Sequence, residues 1–249
     1  MLNVFYTEIL KLRRTKMFWL VIIGALMPAL ISAFAAWGNM SWTDLYKNNL
    51  LFLNVMVSPL LLSLLSGYVV AREYSDSTIN QLFVYPYRRM SILLGKTFVV
   101  ALLSLAVIVL NYSAIWMVGS LMSDQPIPND LIGKYTEAFI WMAALQMLLT
   151  PLMMATGIVG KSYIPSVVLG IIAILVNMMA ISGVEDHLAG RVLFVSYLPF
   201  GTMIIQLLDI TKPGVEDHIH ALIPHAAMFL LLFVFNAFYY TKSEVHSGS

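Results

Sequence analysis

From residue 17 to residue 37 the chain carries no charged side chain. Nothing else in it narrows the possible folds as much. A run of about 20 apolar residues crosses the roughly 30 Å hydrocarbon core of a bilayer as a helix. In lipid each backbone polar group must be satisfied within the protein, and a helix does this by itself. Five further runs follow, at about 49–70, 97–121, 136–157, 164–181 and 221–240. Composition agrees: 60% of the 249 residues are hydrophobic and 11% are charged, where a soluble domain has about 25% charged residues. Such a chain cannot cover its own surface with polar groups. The expected fold is an all-α integral membrane protein with six transmembrane helices, one domain over residues 1–249.

The basic residues set the expected orientation. With the N-terminus inside, the inner segments hold ten of the 14 Lys and Arg residues and the outer segments four. Positive charge collects on the cytoplasmic side, so both termini are expected there. The first run is about 20 residues long, beyond the roughly 7–15 of a leader's apolar region, so the first span reads as retained rather than as a cleaved leader. Trp19, Trp37, Trp42, Trp116, Tyr239 and Tyr240 near span ends fit an interfacial aromatic belt.

Three segments depart from plain spans. Residues 1–16 place Phe5, Ile9 and Leu12 at helical spacing with Glu8, Lys11, Arg13 and Arg14 between them. This predicts an interfacial helix on the inner membrane surface. Residues 187–210 contain an apolar stretch split by Pro199 and Gly201 into halves too short to span. A re-entrant outer hairpin between spans five and six fits best, because irregular backbone at that depth must be covered by protein or face water. Residues 72–96 form the third segment, on the cytoplasmic side. Ser75 or Asp76 can cap a helix. Ile79, Leu82 and Phe83 then form an apolar face, and Pro86 ends the helix. Arg88, Arg89 and Lys96 can reach lipid headgroups or an acidic partner. The segment reads either as a short interfacial helix or as a helix that lays its apolar face into a groove of a soluble partner.

Several chemistries are excluded or disfavoured. The chain has no Cys, which removes disulfides, thiol catalysis and Cys-based zinc sites. No complete Gly-x-x-x-x-Gly-Lys-Ser/Thr phosphate-binding motif, HExxH or GxSxG occurs, so neither ATP binding by that route nor those catalytic centres are expected. A net charge of +1 gives no field for nucleic acid. No ionisable side chain lies mid-span, which disfavours an ion-driven carrier. The sequence Gly-Val-Glu-Asp-His occurs at 183–187 and 214–218, but its spacing matches no standard metal site. No cofactor, catalytic residue or metal is therefore expected. Neutral polar residues do enter the spans: Asn54, Asn111, Gln146, Asn177 and Asn236. They can hydrogen-bond adjacent helices. Alternatively Asn54, Asn111 and Gln146 line a substrate path.

The pattern Glu73, Thr78, Leu82, Pro86, Arg89 and then Gly95-Lys96 resembles the signature that follows the second span of ABC-2 type permeases. Ser77 stands where that family has glycine. The run Glu8, Lys11, Arg14, Lys16 is similar to the start of the lantibiotic-immunity and bacitracin-resistance branch. The resemblance implies a membrane permease subunit of an ATP-binding-cassette exporter in a bacterial cell membrane. It implies a separate cytoplasmic ATPase, a second permease subunit (the same chain or a different one) and contact with membrane lipids. It assigns coupling to the ATPase to Glu73, Thr78, Ile79, Leu82, Phe83, Pro86, Arg88 and Arg89, and an amphiphilic peptide antibiotic or lipid-like molecule as cargo moved outward. The other reading is a membrane anchor or sensor that docks a cytoplasmic partner and transports nothing.

Overall fold

The computed structural model describes residues 2–13, 15–37, 41–75, 89–123, 126–182, 198–201 and 218–242. Among them all regular structure is helical and no strand occurs. A short helix α1 (Leu2–Arg13) precedes α2 (Met17–Ala35). The second span is one helical rod in three parts: α3 (Trp42–Phe52), a π-helical segment (Leu53–Val57) and α4 (Ser58–Ser75). Then come α5 (Arg89–Met122), α6 (Asn129–Gly160), α7 (Ile164–Ser182) and α8 (His218–Lys242). Among the described residues six helices are long and apolar enough to cross a membrane, so the protein is multi-pass. The expected hairpin 187–210 lies outside the described residues except for 198–201, where His225 Nε2 on α8 sits 3.0 Å from the Pro199 carbonyl.

Helices α5 and α6 are longer than the apolar runs that announce them. Helix α5 has 34 residues and α6 has 32, about 50 Å each at 1.5 Å per residue. That exceeds the roughly 30 Å hydrocarbon core, so polar turns such as 129–134 extend the rods beyond it. Hydropathy marks where lipid is crossed and not where hydrogen bonding stops.

Local sequence explains the irregularities. Pro59 has no N–H to give the carbonyl four residues back, and its ring crowds that carbonyl. The helix answers with the π segment just before it. The Ser58 amide bonds to Leu53 O, five residues back. Asn177 Nδ2 on α7 covers the loosened carbonyls, 3.0 Å from Asn54 O and 3.4 Å from Val55 O. Pro151 inside α6 similarly cannot serve the Met147 carbonyl, and the Thr150 hydroxyl donates to it instead.

Packing relies on small residues. A Cβ at Gly170 on α7 would stand 2.2 Å from Ser63 Oγ, 3.0 Å from Leu60 Cα and 3.3 Å from Pro59 O. Gly67, Gly157 and Ser166 bring α4, α6 and α7 together in the same way. At the end away from α1, Trp42, Tyr46, Trp116 and Tyr135 form an aromatic cluster, with the Tyr46 and Tyr135 rings 4.6 Å apart. Trp19 and Trp37 are exposed as an interfacial belt requires, whereas Trp42 and Tyr240 are buried. Those two therefore pack within the protein rather than anchor it.

Gly170→Ala is expected to destabilise the fold by about 1–3 kcal/mol through overpacking. The backbone of α4 blocks relaxation there. Thermal unfolding in detergent measures this, with the open position Gly133 as the control for substitution by alanine.

Candidate functional site

At the α1 end of the bundle, helices from three parts of the chain meet around four charged side chains. Helix α1 brings Glu8 and Lys11. Its Phe5, Ile9 and Leu12 pack against a core that includes Val69, Ile92, Leu93 and Val99, and Glu8 lies beside this face. Tyr6 and Leu10 on the other side are exposed. Thus the apolar stripe of α1 turns onto the spans, because that orientation also carries Glu8 to its partner. The last turn of α4 supplies Glu73, and α5 supplies Lys96 two turns from its start.

The geometry is tight. Lys96 Nζ lies 2.9 Å from Glu73 Oε1, 3.4 Å from Glu8 Oε2 and 3.0 Å from Val69 O. An ammonium has three donors, and each has an acceptor here. Lys11 Nζ closes the ring, 2.6 Å from Glu8 Oε1 and 2.8 Å from Glu73 Oε1. Lys96 is 1% exposed, and Glu8 and Glu73 are 5% exposed each. Glu73 Oε2 is buried and has no hydrogen-bond partner among the described residues. Two carboxylates face two ammoniums, so the cluster is neutral.

Burial penalises the charged form of Lys11, but the Glu73 and Glu8 carboxylates outweigh this. Its pKa therefore lies above the ordinary 10.5. A raised pKa means the folded state favours the ammonium. Its stabilising contribution is complete at neutral pH and is lost only as pH rises beyond 10.5 through the raised value.

Two arginines cap neighbouring helices. The last carbonyls of a helix lack intrahelical partners. Arg72 Nη1 donates to Lys11 O at the end of α1, at 2.9 Å. Arg89 Nη1 donates to Thr241 O at the end of α8, at 2.8 Å. Cations also suit the negative end of the helix dipole. By the same rule Glu73 is badly placed in the last turn of α4, and the two lysines offset that cost.

Of the residues expected to couple to an ATPase, the structure places Glu73 in this cluster and Arg89 on Thr241. Thr78, Ile79, Leu82, Phe83, Pro86 and Arg88 lie outside the described residues. Lys96, expected to reach headgroups or an acidic partner, is instead buried among Glu8, Glu73 and Val69. The sequence held one signal of this. Glu8 has Lys11 three residues on, and Glu73 is an acidic residue at the end of a long apolar run on the Lys-rich side.

The mid-span amides are also accounted for. Asn49 and Asn111 form a reciprocal pair at 2.8 and 3.1 Å, and Asn111 Nδ2 also reaches Ala25 O at 2.8 Å. This joins α2, α3 and α5. Gln146 Nε2 donates to Asn54 Oδ1 at 3.3 Å, and Asn54 Nδ2 to Leu50 O at 2.9 Å. Asn236 Nδ2 donates to Pro151 O at 2.8 Å, joining α8 to α6. Asn54, Asn111 and Gln146 are all buried within helix contacts.

Two predictions follow from these bonds. Lys96→Met leaves an uncompensated buried carboxylate and is expected to cost about 3–5 kcal/mol. Lys96→Met with Glu8→Gln restores neutrality and should recover most of it, measured by denaturant unfolding in mixed micelles. Asn111→Leu is expected to cost about 0.6–2 kcal/mol. A double-mutant cycle with Asn49→Leu should show coupling between the pair, and additive losses would exclude it.

The chain can now be set beside known proteins. Residues 4–177, more than half of the chain, match the sequence profile of the ABC-2 family transporter proteins. A bacitracin transport permease protein of Bacillus licheniformis is 21% identical over 139 residues. That match covers 55% of this chain and 66% of the relative, a little under two thirds of the relative's length. The profile spans α1, the ion cluster and most of the first five membrane helices, and on that match the chain belongs to the ABC-2 family of transporter proteins.

Proposed function

We propose that the protein is the membrane-spanning permease subunit of an ATP-binding-cassette exporter. The family match carries this reading, together with one structural fact. Segment 76–88 connects two long rods, α4 and α5, and the ends it joins are tied by Glu73 and Lys96 at 2.9 Å. A partner that moves such a segment moves both rods. In this reading a cytoplasmic ATPase receives the apolar face Ile79, Leu82 and Phe83, with Thr78, Pro86, Arg88 and Arg89 setting its position.

The excess of Lys and Arg on the α1 side supports an orientation with both termini in the cytoplasm of a bacterial cell. Helix α1 then lies at the inner leaflet, with Tyr6 and Leu10 toward lipid. Rows of exposed apolar residues on α2 and α7, among them Leu26, Leu30, Ile171, Leu175 and Met178, suit lipid and a second permease subunit. The relative's name favours a peptide antibiotic or a similar amphiphile as cargo, moved outward. A hairpin over 187–210 would cover the outer side.

The test is co-purification with a candidate cytoplasmic ATP-binding-cassette ATPase expressed together with this chain. Leu82→Asp or Phe83→Asp is expected to abolish capture and turnover while insertion stays normal. Capture and turnover that persist in both variants overturn the coupling assignment. ATP hydrolysis in vesicles with no movement of bacitracin or another amphiphilic peptide would favour an anchor or sensor subunit instead.

A further inference from the structure

Lys96 does more than neutralise two acids. Its three acceptors come from α1 (Glu8) and from α4 (Glu73 and the Val69 carbonyl). Lys96 itself stands on α5. One ammonium therefore fastens three helices, and two of them are the entrance and exit of segment 76–88. Lys11 adds a second link between α1 and α4, and Arg72 a third through Lys11 O.

Apolar contacts are non-directional and can slide. A buried ammonium with three directed hydrogen bonds cannot, because each partial displacement leaves a charged group without a partner and without water. The joint is therefore held together or broken as a unit.

We infer that Lys96 is a positioning residue for energy coupling: it makes α1, the end of α4 and the start of α5 one rigid piece, so that displacement of segment 76–88 is passed to α1 and to both spans together. The inference rests on the coupling role proposed for that segment. It adds a residue outside the docking face and states how force leaves that face.

The absence of Cys allows clean labelling. Tyr6→Cys on α1 and Tyr163→Cys beside α7, both exposed, carry spin labels in the full chain, reconstituted in lipid nanodiscs with its co-purified ATPase. In the otherwise unaltered chain the distance distribution is expected to be narrow and to shift when ATP and vanadate are added. Lys96→Met with Glu8→Gln keeps the charge balance and therefore the fold. It is expected to retain ATPase capture and hydrolysis, to broaden the resting distribution and to lose the shift. Lys96→Arg should keep the shift. A Lys96→Met/Glu8→Gln chain with both the original width and the original shift overturns the inference. The width is read without ATP, so it decides whether Lys96 holds α1 even where Leu82→Asp still captures the ATPase and the docking assignment itself fails.

Discussion

An ammonium withdrawn from water loses several kcal/mol of hydration that only close, well-aimed acceptors replace. Lys96 finds such acceptors at one place, where α1, α4 and α5 converge. Much of the α1 end follows from that requirement. Helix α1 must present Glu8 inward, which turns Phe5, Ile9 and Leu12 onto the spans. The last turn of α4 must keep Glu73 against its dipole. Helix α5 must extend back past the hydrocarbon core so that Lys96 lies where these two carboxylates meet.

The six spans were legible because hydrocarbon thickness imposes a length on every apolar run. Residues 164–181 predicted α7 to within a residue, since polar segments bound it on both sides. The second span was read about seven residues short at its start and five at its end. Trp42, Asp44 and Asn49 look unlike lipid-facing residues; Trp42 and Asn49 are buried against protein, and the Asp44 amide is capped by Ser41. The amides were recognised as helix-bonding candidates, but their partners depend on which helices are neighbours, and a single sequence does not rank those. Family resemblance drew attention to Glu73 and Lys96 as motif positions. That they meet each other and Glu8 is tertiary information, because the pairs are separated by 62 and 88 residues along the chain for Glu73–Lys11 and Glu8–Lys96.

Side chains recurrently attend to carbonyls that a helix cannot serve. Thr150 covers the one freed by Pro151, and Asn177 reaches the loosened Asn54 and Val55 carbonyls from α7. Arg72 and Arg89 cover helix ends. In lipid such groups have no water to turn to, so proline and helix termini dictate where polar residues must stand on adjacent helices. Much of the polar content of these spans is placed by this rule.

The π segment Leu53–Val57 has a further geometric consequence. Each α-helical residue advances the helix by 100°, so one residue beyond the regular count rotates everything after it relative to everything before. The wide turn is a dislocation in an otherwise regular lattice, and dislocations move along a lattice unless something stops them. Asn177, holding the Asn54 and Val55 carbonyls from α7, is the pin that stops this one, and it fixes the angle at which α3 stands relative to α4 on the second span.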